Sequence, residues 1–103
     1  MSEFQDRERQ FETKFAHDQE LLFKIRAHRD RLFAAWVADQ LGEDGPPAYA
    51  ETLVTFAFGR QPQDVMDKAM RDLHDHGVSV ADTKITRAYE MYADEARDEV
   101  MKA

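Results

Sequence analysis

The side chains able to do chemistry in this 103-residue chain are four histidines and a large set of carboxylates, with no cysteine among them. The lack of cysteine removes disulfides, a thiol nucleophile and thiolate metal sites together, and fits a reducing compartment. A carboxylate-bridged metal pair in a helical protein needs Glu-x-x-His on facing helices. Lys14, Ile25, Arg71 and Leu73 stand where that glutamate belongs ahead of His17, His28, His74 and His76. His74 and His76, near Asp72 and Asp75, form at most a weak metal set. Histidines in the last turn of a helix ordinarily complement its negative end. No Gly-rich phosphate loop, serine-nucleophile motif or paired-histidine zinc motif occurs. The expectation is no catalytic residue, no metal and no enzyme.

Two other groups of residues suit binding. Residues 21–40 carry Lys24, Arg26, Arg29 and Arg31 against Asp30 and Asp39, the one stretch of about twenty with a positive balance. As a binding feature this cluster suits nucleotide phosphates or an acidic partner surface. As structure it is a solvated face that pairs with Asp30 or with acids of the last helix. The second group is Phe4, Phe11 and Phe15, the only large apolar side chains after Met1 in a charge-dense opening segment. On a helix they fall within about 40° of one another. Spacings such as Glu3 to Arg7 and Asp6 to Arg9 add only ~0.2–0.5 kcal/mol each. Folding this segment back onto a core would bury little, so three aromatic rings on a marginal helix suggest an arm built to dock. His17 lies at the joint, where a histidine can make docking pH-dependent.

These groups must be positioned by helices. Four Gly and three Pro leave few turns for strands. The net charge of −7 argues against nucleic acid and anionic membrane surfaces as partners. No apolar run approaches ~20 residues and no signal-peptide core is visible, so the default is a cytoplasmic protein. The helical pattern runs over about 6–41 and stops at Gly42, its apolar face set by Leu22, Ile25, Leu32, Trp36 and Leu41 and widened by Phe33 and Val37. A second helix is expected over about 48–58, capped by Asp44 or Gly45 with Pro46 and Pro47 in its first turn, and with Leu53, Val54, Ala57 and Phe58 inward. A third opens at Pro62 and closes at Gly77 with Val65, Ala69 and Leu73 inside. A fourth starts from Ser79 and Asp82, a capping-box-like pair, and runs to about Met101. The fold class is all-α: an antiparallel four-helix bundle whose long first helix begins as a mobile arm. The arm takes residues 1–19 and the bundle 20–103, with the break near His17–Glu20.

The N-terminal third also resembles a known family. Asp6-Arg7-Glu8, Phe11-Glu12, Lys14-Phe15-Ala16-His17-Asp18, Glu20-Leu21 and Phe23-Lys24 sit in the order and spacing of the ζ-type inhibitor subunit of the α-proteobacterial F-type ATP synthase. His28 and Asp30 stand where that pattern has Arg and Asn. The resemblance implies a protein inhibitor of ATP hydrolysis by the F1 head. Its N-terminal segment would be mobile when free and helical when wedged into a catalytic interface between α and β subunits, reaching toward γ. The implied inhibitory residues are Phe4, Asp6, Arg7, Glu8, Arg9, Phe11, Glu12, Lys14, Phe15, Ala16, His17 and Asp18. The family also implies ADP or ATP as a regulatory ligand on the bundle, for which Lys24, Arg26, Arg29 and Arg31 are the candidates. It further implies a cytoplasmic location at the inner membrane through the F1 head, without membrane insertion, and a monomer when free. The competing expectations are a nucleotide-sensing bundle without strong inhibitory activity and a bundle that dimerises through its exposed Phe stripe.

Overall fold

The computed structural model describes the backbone of residues 3–102 and the side chains of residues 16–102. Four helices follow one another: α1 (Glu3–Leu41), α2 (Tyr49–Ala57), α3 (Pro62–Asp75) and α4 (Asp82–Lys102). No Gly or Pro interrupts the chain before Gly42, so nothing breaks the backbone hydrogen-bond ladder of α1, which continues through His17–Glu20. Gly42 ends it in the left-handed region at φ 67°.

α1 is the spine of the bundle, packing chiefly against α4 and α2, while α3 closes the far side against both of those helices. The ring of Phe33 meets Tyr89 edge-on at 5.1 Å, and His28 pairs with Glu99. Descending α1 therefore means ascending α4, so the two are antiparallel. α2 runs back along α1 in the same sense, bringing Phe58 within 6.2 Å of Phe23.

The core is assembled from Phe33, Ala34 and Val37 of α1, Leu53 and Ala57 of α2, Val65, Ala69 and Leu73 of α3, and Ile85, Ala88 and Tyr89 of α4. The buried alanines allow close helix approach, and the fully covered Phe33, Leu53, Leu73 and Ile85 each contribute ~1.5–3 kcal/mol of burial. α3 matches its sequence pattern, with Pro62 in the first turn and the period-four stripe Val65, Ala69 and Leu73 buried. Its end is a Schellman closure: Val78 N–H donates to Leu73 O at 2.9 Å and Gly77 N–H to His74 O at 3.0 Å. His76 Nδ1 donates to Asp72 O at 2.8 Å, so this histidine caps the helix end.

Four local expectations are corrected. Pro46 and Pro47 precede α2 instead of opening it. The chain leaves α1 through a 3-10 turn, Gly42–Asp44, and Ala48 caps α2 in a left-handed conformation at φ 59°. Ser79 lies outside α4, since Val78 and Val80 alternate inward across an extended crossing and Ala81 O accepts the first helical hydrogen bonds. Phe58 faces solvent because it leaves the helix at ψ 119°, so the helical phase of Leu53 and Ala57 does not extend to it. Leu22 is exposed because at this level α1 meets the bundle through its neighbour Phe23, whose ring reaches Phe58.

Candidate functional site

The packing just described leaves α1 with two unlike halves. The last turn of α4 lies level with His28, so α1 continues past the bundle toward its N-terminus. Ala16, His17, Asp18, Gln19 and Glu20 are all exposed, and among the described side chains of α1 the first buried one is Asp30. From Glu3 to Leu21 the extension covers about 28 Å at 1.5 Å per residue, in a molecule measuring 65 × 22 × 20 Å. Among the expected inhibitory residues, Ala16, His17 and Asp18 sit exposed on this extension. The side chains of Phe4, Asp6, Arg7, Glu8, Arg9, Phe11, Glu12, Lys14 and Phe15 lie outside the described ones, although positions 4–15 fall within α1.

Lys24, Arg26, Arg29 and Arg31, the four cations of the basic turn of α1, separate onto two grooves. Arg26 and Arg29 line a cavity of about 660 Å³ between α1 and the α2–α3 turn. Lys24 and Arg31 line one of about 400 Å³ between α1 and the end of α4. Phe23 and Ala27 are common to both walls. A phosphate-bearing ligand in one groove therefore meets two of the four side chains.

Local pairing divides them further. Lys24 bridges Glu20 at 3.2 Å, both well exposed, and such a pair contributes little. Arg29 is only 12% exposed, its Nε donating to Asp30 Oδ1 at 3.0 Å and its guanidinium 4.9 Å from the Tyr89 ring centroid. Asp30 is the one buried charged residue among those described, and its burial raises the carboxyl above the usual range while the Arg29 hydrogen bond and charge oppose that rise. Burial likewise pushes the Tyr89 phenol up to about 12. Arg31 Nη2 approaches His28 Nδ1 at 3.4 Å. Arg26 has no carboxylate partner among the described residues.

Sequence reasoning missed the aromatic lip of the larger groove, where Phe23 and Phe58 stand 57% and 73% exposed. Arg60 flanks them, its guanidinium 4.1 Å from the Phe56 ring centroid. The available signal was the Phe58-Gly59-Arg60 turn, where Gly59 at φ 73° ends the helix and turns both neighbours outward. His74 and His76 do not build a metal set, and no cluster of metal-ligating residues occurs among those described. None of the described helices is long and apolar enough to cross a membrane.

The described residues define a small all-α bundle that carries one helix well beyond its own core. The family model for ATPase inhibitor subunit zeta matches residues 1–99, and the chain belongs to that family. No curated protein and no solved structure matches it.

Proposed function

We propose that this protein inhibits ATP hydrolysis by the F1 head of ATP synthase, with residues 1–19 inserted as a helix into an α/β catalytic interface and pointing toward γ. The observation that carries this reading is the extension of α1 past the bundle, in a chain that belongs to a family of ATPase inhibitors. A catalytic interface must open and close in each rotary step. A lodged helix blocks that closure without doing chemistry, so the protein acts as a regulator and not as an enzyme.

Phe4, Phe11 and Phe15 are the anchors of the inserted helix, each able to contribute ~1.5–3 kcal/mol on burial. Arg7, Arg9 and Lys14 meet acidic groups of the head and set register more than affinity. Any disorder of the free arm opposes insertion by ~1–2 kcal/mol of backbone entropy per residue ordered. The described core is built from Phe33 onward, so a chain lacking the arm is expected to keep it, which a thermal melt of the truncated chain checks. The test is ATP hydrolysis by α-proteobacterial F1 with the full chain and with a chain lacking residues 1–19. Inhibition by the first alone is expected, and equal inhibition by both would move the activity to the bundle.

A further inference from the structure

The groove between α1 and the α2–α3 turn combines two features that neither the core nor the arm accounts for. Its lip is apolar and outward, Phe23 and Phe58 meeting edge-on at 6.2 Å while both remain more than half exposed. Its mouth is cationic: Arg26 and Arg60 are exposed and have no carboxylate partner among the described residues, and Arg60 is steadied over the Phe56 ring. The one acid in its wall, Asp30, is already paired with Arg29. The other exposed large apolar residues among those described are Leu22, which does not line this groove, and Met91 and Met101 on α4.

We infer that this groove docks an acidic, apolar-faced helical segment of the ATPase head. The assignment rests on the inhibitory function proposed above. An amphipathic helix lays its apolar face into such a trough, and its acids meet the rim arginines. Charge selects this occupant. A basic partner would find the whole chain, at net −7, a better surface than this one positive mouth. A second copy carries the same −7 and repels the first. Position selects it too. Gln19 and Phe23 of the groove follow Asp18 on the same helix, with Phe23 about 7.5 Å farther along. A head that holds the arm therefore lies directly beside the groove. The bundle acts as a second grip, so the arm is not the sole source of affinity.

The test uses the full chain with a photoreactive benzoyl-phenylalanine in place of Phe58, illuminated with purified F1. A Phe58→Ser, Arg60→Glu double variant and an Arg26→Glu variant are titrated as inhibitors in parallel. Circular dichroism checks that these surface changes leave the helices intact. The expected result is an adduct with an ATPase subunit through a peptide rich in Asp and Glu. The variants should need roughly tenfold more protein for half-maximal inhibition, with an unchanged plateau and a gap that narrows as salt rises. An adduct between two copies only would overturn the assignment in favour of self-association. Unchanged titration of the variants, with the unmodified chain inhibiting, would remove the groove and leave the arm as inhibitor. Failure of the unmodified chain to inhibit would remove both.

Discussion

Arg29 holds its guanidinium 4.9 Å from the centroid of the Tyr89 ring, joining α1 to α4 beneath the base of the extension. The Tyr89 hydroxyl at that junction is buried and has no hydrogen-bond partner among the described residues. An unsatisfied buried hydroxyl costs about 1–3 kcal/mol, whereas the ring contacts with Arg29 and Phe33 do not need it. Tyr89→Phe is therefore expected to stabilise the bundle by about 1 kcal/mol, which moves Tm up by about 4–8 °C in a domain of this size. Burial raises the phenol from 10.0 to about 12 in the folded chain. The stability this proton contributes is fully present below pH 10.0 and is lost as pH rises through about 12, so the advantage of the phenylalanine grows over that window. Urea denaturation at neutral and alkaline pH measures both effects.

Tyr49 makes the contrasting case. Its hydroxyl donates to Asp72 Oδ2 at 2.6 Å across the α2–α3 contact, and the same oxygen receives Lys68 Nζ at 3.2 Å. Tyr49→Phe removes a bond to a charged acceptor, with an expected loss of about 1–2 kcal/mol. The same chemical change thus has opposite signs at two buried tyrosines. Thermal melts of the two variants side by side decide it, and a gain at Tyr49 would mean that the Asp72 bond contributes nothing.

Asp30 ties stability to acid. Its carboxyl lies above the usual 3.8 because burial outweighs the opposing hydrogen bond and charge of Arg29. The folded chain therefore holds this proton more tightly than the unfolded chain does. That contribution is present below pH 3.8 and is lost as pH rises through the higher folded value. In Asp30→Asn the loss is absent. The stability of the unmodified chain relative to the variant should fall as pH rises above 3.8 and level off once the higher folded value is passed. Urea titrations at stepped pH give the slope directly, and a flat difference would show that burial does not govern this carboxyl.

The legible parts of the fold were those written in local chemistry. Pro62 opened α3, Gly42, Gly59 and Gly77 stopped three helices, and the stripe Val65, Ala69 and Leu73 went inward as its period required. Patterns that depended on tertiary reach were less legible. The period of α1 gave a face containing Leu22 but not that its neighbour Phe23 meets the bundle at this level instead. Phe58 shared the phase of α2 until the backbone left the helix at that residue. Pro46 and Pro47 looked like a first helical turn. Gly45, however, sits so close to Leu41 that an added Cβ would lie 2.9 Å from the Leu41 Cβ, and the chain turns again at Ala48 before the helix starts. The basic turn of α1 was visible as charge, but its division between two grooves follows from α2 and α4 flanking one helix on different sides.

The final prediction concerns the arm, whose proposed action requires it to bind as a helix through its aromatic stripe. Positions 8, 11 and 15 all lie within α1. Proline at position 8 removes a backbone donor and clashes with the preceding turn, at a cost of ~3 kcal/mol in a helix interior. Glu8→Pro should therefore abolish inhibition while leaving the thermal transition of the bundle unchanged, since no described core residue precedes Leu21. Phe11→Ala and Phe15→Ala keep the helix and delete one anchor each, and each should raise the concentration for half-maximal inhibition about tenfold or more. The two kinds of change separate conformation from contact. If the proline variant inhibits normally, the arm does not act as a helix. If it fails while both alanine variants inhibit like the unmodified chain, the helix is required but Phe11 and Phe15 are not its anchors. Dose–response curves for ATP hydrolysis, paired with melts of each variant, distinguish these outcomes.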